Sequence, residues 1–145
     1  MPAPEPHLIA TYAAARYEVL GDLPALLLVS DTAGAHDDWL RANNSESAIV
    51  ITAWNPFSHQ LSAKKNELAN RHLAGAIESA FRRWVPARGA ATGGRWAEDS
   101  YCVFDVPDPL LEQWLVRYQQ NAAVRVRRGE RPELVWHVRF HSHDG

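Results

Sequence analysis

The segment Ala48-Ile49-Val50-Ile51-Thr52-Ala53-Trp54 constrains this chain more than any other. It is nearly all apolar and rich in β-branched residues. A strand with one wet face alternates apolar and polar side chains, whereas an unbroken apolar run needs cover on both faces. The segment is therefore expected near the centre of a sheet, with other elements on both sides. Asn55-Pro56 ends it, because proline cannot donate to a ladder.

The cover is expected from two long helices. Over 62–84, Ala69, Leu73, Ala76, Ile77, Ala80, Phe81 and Trp84 recur at the spacing of one buried stripe. Lys64, Asn70, Arg71, Glu78 and Arg82 fall mostly off that stripe. Ser62 suits the N-cap, since its hydroxyl can accept from an amide of the first turn. Over 109–120 the face is Leu110, Leu111, Trp114, Leu115 and Tyr118, with Asp108 as the cap and Pro109 at the start. Short helices are expected over 7–15 and 37–43. Further strands are expected over 17–20, 25–29, 85–90, 98–106, 122–127 and 134–140, with Thr92-Gly93-Gly94 as a hairpin turn. The predicted fold is α/β or α+β: a single layered domain with a mixed sheet of about five to seven strands, the two long helices and the short ones.

With 145 residues, 46% of them hydrophobic and 22% charged, the chain has the balance of one globular domain. Residues 1–6 are expected as a mobile tail, 7–140 as the domain and 141–145 as a C-terminal tail. The net charge of −2 gives no bulk attraction to nucleic acid or an anionic membrane. The longest apolar run, Leu23–Val29, contains Pro24 and is far short of the ~20 residues a membrane helix needs. Cys102 is the one cysteine, so no internal disulfide can form. Its apolar neighbours predict a buried, inert thiol in a reducing cytoplasm.

Polar residues near the apolar strand carry the functional expectation. Asn66 lies three residues before Ala69 and seven before Leu73, so it points with the buried face, near the start of the long helix. Asn55 leaves the end of the strand. The two can share one region where a strand's C-terminal end meets a helix N-terminus, a place where ligands collect in open sheets. The plainer reading is that Asn55 shapes a turn and Asn66 bonds loop backbone.

Ile51-Thr52-Ala53-Trp54-Asn55-Pro56, then Leu61 and Asn66, then Trp96-Ala97-Glu98-Asp99-Ser100, then Arg117-Tyr118-Gln119-Gln120-Asn121-Ala122, together resemble the bacterial domain-of-unknown-function family 3293. The likeness runs in order from about residue 10 to 135. It implies a small stand-alone bacterial protein and brings no established activity. Such a family usually has glycine before Gln-Asn-Ala, where this chain has Gln119, so the turn there is expected to differ in detail. The Gly-rich approach to Trp96 (Gly89, Gly93, Gly94) is also irregular.

The matched polar residues are Thr52, Asn55, Asn66, Glu98, Ser100, Gln120 and Asn121. They are expected to converge on one pocket walled by Trp54 and Trp96, where they would bind a neutral polar ligand such as a base, sugar or amide. Glu98 is the one carboxylate of the set and the candidate general acid or base. The competing reading is a structural network, with Glu98 accepting from backbone amides and Asn121 ending a helix.

Two further features of the C-terminal third bear on function. His137, His141, His143 and Asp144 lack the spacing of a helical metal site, so neither a metal nor another cofactor is expected. Residues 117–139 hold six arginines (117, 125, 127, 128, 131 and 139) against two glutamates. They offer an alternative function as a protein-interaction or regulatory face and, more weakly, nucleic-acid binding. A solvated strand face is the simpler account of them.

Overall fold

A computed structural model describes residues 3–91 and 97–140. Among these residues, seven strands form one sheet: β1 (Arg16–Val19), β2 (Ala25–Leu27), β3 (Ser47–Ile51), β4 (Trp84–Ala90), β5 (Ala97–Phe104), β6 (Ala122–Arg127) and β7 (Glu133–Trp136). Their order is β2-β1-β4-β5-β3-β6-β7. The helices are α1 (Pro6–Ala14), α2 (Asp37–Ala42), α3 (Ala63–Ser79) and α4 (Asp108–Arg117), with 3-10 turns at Pro56–Ser58 and Val138–Phe140. The class is α+β.

The sequence led us to expect a mixed sheet, and the structure corrects this. Every pairing is antiparallel. The reason is topological. The crossover β3–α3–β4 leaves β5 between its strands, and β5–α4–β6 leaves β3 between its own. Strands joined by a helix run the same way but never bond each other. The core β3-α3-β4-β5-α4-β6 has the connectivity of a ferredoxin-like unit, widened by the β1–β2 hairpin and by β7.

β3 is buried on both sides, as its composition requires. Ile49 and Ile51 pack with Val103 and Ala123 against Leu73 and Ile77 of α3 and Leu111, Trp114 and Leu115 of α4. Both longer helices thus serve one core. Ala48 and Val50 face the other way, with Tyr17, Val19, Leu27, Cys102, Phe104, Val124 and Val126. Leu27 near one edge and Val126 near the opposite one share this second core, so the sheet curls around it. At one end α2 inserts Leu40, and Trp39 packs on Phe104 with ring centroids 5.7 Å apart. At the other end lies α1. The Tyr17 hydroxyl donates to the Tyr12 carbonyl at 2.9 Å, and the Tyr12 ring meets Trp136 edge-on at 5.4 Å. Cys102 is fully buried, and burial pushes its thiol up to about 12.

The helices are shorter than their apolar patterns. Ser62 does cap α3, accepting from the Lys65 amide at 3.2 Å. The helix stops at Ser79, however. Phe81 takes a left-handed φ of 56° and is 95% exposed, while Trp84 already belongs to β4. The buried stripe of α3 is Asn66, Asn70, Leu73 and Ile77, so Asn70 faces inward although its polarity suggested otherwise. At α4, Pro107 holds the cap position and Asp108 does not cap. Its carboxylate instead bonds Arg125, which is almost fully buried on β6 and requires an acid.

Among the described residues, no helix is long and apolar enough to cross a membrane. The expected turn at Thr92-Gly93-Gly94, the wall residue Trp96 and the tail from His141 onward lie outside them.

Candidate functional site

β3 ends at Ile51, and the chain then makes a tight passage to α3. Asn55, Phe57 and Ser58 have φ values of 45°, 50° and 65°. Each is costly for a residue with a Cβ, by about 1–2 kcal/mol. Such a loop persists only where its surroundings dictate it. Two asparagines of α3 do so. Asn66 accepts from the Asn55 amide at 2.8 Å, and its Nδ2 donates to Asn55 Oδ1 at 2.8 Å. Asn55 Oδ1 also takes the Leu61 amide at 3.0 Å. One turn later, Asn70 accepts from the Ala53 amide and donates to the Asp99 carbonyl, both at 2.8 Å. The Thr52 hydroxyl donates to the same carbonyl at 2.6 Å. From the other side, the Phe57 amide donates to the Gln119 carbonyl at 2.6 Å, and the Arg139 guanidinium stacks 3.7 Å above the Phe57 ring.

This held loop forms one wall of a cavity of about 520 Å³ under α1. Asn55, Ser58 and Gln60 line it from the loop, and His7, Leu8, Thr11 and Tyr12 from the helix. Glu98 reaches it from β5. The register explains the space. Gly89 of β4 stands between Tyr17 of β1 and Glu98 of β5. The row therefore has no side chain at its middle position, and the carboxyl and the Tyr17 phenol face each other across it.

Glu98 makes no hydrogen bond or ion pair through its carboxylate with any described residue. Burial alone pushes it up to about 7. Burial also raises the Tyr12 phenol. Asn121 and Ser58 beside its hydroxyl work against that, the Glu98 charge adds to it, and the Arg139 charge lowers it. Behind the wall the polar side chains bond one another. Asn121 donates to Ser58 Oγ at 3.1 Å and accepts from Arg139 at 2.6 Å. A carboxyl titrating near neutrality can take or give a proton, and the hydroxyls and amides around it can orient a polar molecule.

The residues singled out from the sequence separate into two groups. Asn55 and Glu98 line the cavity, and Asn121 supports it from one bond away. Thr52, Asn66, Ser100 and Gln120 bond the protein's own backbone. Ser100 Oγ donates to the Glu98 carbonyl at 3.0 Å, and Gln120 donates to the Tyr118 carbonyl at 3.1 Å. Trp54 lines a different hollow, with Glu67, Arg71 and Tyr101. The sequence reading missed Tyr12, Thr11 and His7 of α1, Ser58 and Gln60 of the loop, and Arg139. The pairing of Leu8 with Tyr12 on one helical face was visible, but nothing in it pointed to Glu98. Gln119 has a φ of 51°, a region glycine enters without strain, which gives a physical reason for a glycine before Gln-Asn-Ala.

Two other regions are less suited to chemistry. A hollow of about 570 Å³ between α3 and α4 is floored by Gly75, Ala76, Ser79 and Ala80, and none of its lining residues is acidic. The arginine-rich face is largely neutralised. Arg125 bonds Glu133 at 2.7 Å as well as Asp108, Arg127 reaches Glu133 at 3.1 Å, and Arg128 lies 3.4 Å from Glu46. Burial alone would raise Glu133, but Arg125 and Arg127 outweigh it and hold its carboxyl below the usual value. Among the described residues, no cluster of three or more His, Cys, Asp or Glu could hold a metal ion.

Comparison with curated proteins and with solved structures gives no match. One family model, described as Protein of unknown function (DUF3293), matches residues 51–123. The matched span runs from the last residue of β3 into β6. It includes the held loop, Glu98 and Asn121, and omits α1. It covers half of the chain, and on that match the protein belongs to the DUF3293 family.

Proposed function

We propose that the cavity under α1 binds a small polar molecule, with Glu98 as its principal hydrogen-bonding and acid–base group. One observation carries this reading: a partly buried carboxylate faces an open hollow of about 520 Å³ and has no cation or hydrogen-bond donor among the described residues. A purely structural carboxylate in such a place would be paired, as Glu133 is. The hydroxyls of Tyr12 and Ser58 and the Asn55 amide group supply the surrounding polarity. The Arg-rich face has less support as an interaction or nucleic-acid surface, because Arg125, Arg127 and Arg128 already bond acids. The buried Cys102 fits work in a reducing cytoplasm.

A fragment screen read by 1H–15N NMR tests the proposal. Hits should move the amides of Thr11, Tyr12, Ser58, Gln60 and Glu98 together, and Ser58→Ala or Glu98→Gln should weaken them severalfold. Hits confined to the α3–α4 hollow, or none at all, would overturn it.

A further inference from the structure

The chemistry of the cavity wall narrows the ligand class. This step rests on the binding role just proposed. No lysine or arginine is among the described residues that line the hollow. Arg139, whose charge acts on the Tyr12 phenol, is committed to other partners. It donates to Asn121 and stacks on Phe57 at 3.7 Å and on Phe140 at 4.6 Å. The wall is also rich in acceptors. Thr11 Oγ1 gives its proton to the His7 carbonyl at 2.9 Å, so it presents lone pairs. Glu98 adds two carboxylate oxygens. An anionic ligand would meet this carboxylate with no lysine or arginine among the described lining residues to offset it. A ligand bearing N–H groups and a positive charge would supply what Glu98 lacks.

We infer that the cavity selects a cationic nitrogen group, an amidine, guanidine or amine, paired to the Glu98 carboxylate and bordered by Tyr12, Thr11 and Ser58. The groups facing Glu98 agree in sign. The Tyr12 and Tyr17 phenols stay neutral near pH 7, since burial holds both above their ordinary range. His7 is the other titratable group among the described lining residues.

Three matched probes test the inference: benzamidine, benzamide and benzoate, nearly alike in shape and differing in charge. Binding is measured by calorimetry and by NMR at pH 6 and pH 8. With Glu98 titrating at about 7, benzamidine should bind about tenfold more tightly at pH 8 than at pH 6. Benzamide should bind more weakly and benzoate not at all. Glu98→Gln should abolish both the preference for benzamidine over benzamide and the pH dependence. Benzoate or benzamide binding as well as benzamidine in this cavity would overturn the charge selectivity and leave the binding role standing. A pH dependence that survives in Glu98→Gln would show that another group sets it and would also overturn the inference. If neither these probes nor any fragment enters the cavity, the inference falls together with the reading beneath it.

Discussion

Two polar regions lie side by side at the end of β3 and are built in opposite ways. In the first, Asn66 and Asn70 face inward from α3, and both ends of each side chain amide meet backbone or the other asparagine of the loop. In the second, Glu98 sits beneath α1 with no partner for its carboxylate among the described residues. Satisfied buried amides fix a conformation and leave nothing for a visitor. A partly buried carboxylate with no partner among the described residues weakens the fold, and the proposed binding role would account for its presence. The contrast separates scaffold from candidate site more sharply than residue type does, since asparagine occurs in both regions.

The largest effect should come from the satisfied side. Asn66→Ala would orphan the Asn55 amide and remove the restraint on three left-handed residues, costing about 2–4 kcal/mol at roughly 1 kcal/mol per lost bond plus the exposed strain. Urea melts measure it. A loss below about 1 kcal/mol would show that the loop holds its shape without the lock, and the comparison would fail.

Glu98→Gln should act in the opposite sense. The carboxyl rises from 4.5 to about 7 on folding, so its contribution is favourable below pH 4.5. That contribution is lost as pH rises through 7, by about 3 kcal/mol as an upper bound at 1.36 kcal/mol per pH unit. The variant should therefore be more stable than the wild type at pH 8 and about equal to it near pH 4. Destabilisation at pH 8 would mean that Glu98 has a structural partner after all.

Smaller effects sharpen the scaffold side. Ser62→Ala should cost about 1 kcal/mol by removing the cap on the Lys65 amide. Phe81→Gly should change stability by no more than about 1 kcal/mol, in the favourable direction. It relieves a left-handed residue that is 95% exposed, against the greater chain entropy of glycine. Both are read from thermal melts, and a large loss in Phe81→Gly would show a packing role that its exposure denies.

Much of the scaffold was legible. The unbroken apolar run of β3 demanded two covered faces, and both cores form on it. Ser62, Leu73, Ile77 and the Leu111–Trp114–Leu115 face were readable because capping and helical spacing are local. Strand direction was not, because it depends on which strands the helices skip. Asn70 escaped because an apolar stripe treats an inward amide as a gap. Phe81 and Trp84 kept the helical period by coincidence while the backbone had already turned at φ 56°. The cavity was half legible. Asn55 and Glu98 lie in motif segments, but α1, distant in sequence and without a buried residue, gave no sign that Tyr12 and Thr11 would complete it.

The central claim is that the Glu98 carboxyl stands partly buried, without a partner among the described residues, in a space open to a ligand. Its own titration tests this most directly, followed by the 13C shift of the side-chain carboxyl as pH is varied from 3 to 9. A midpoint near 7 that moves down when benzamidine is present is the predicted result. A midpoint near the ordinary 4.5, unmoved by benzamidine, would contradict the account.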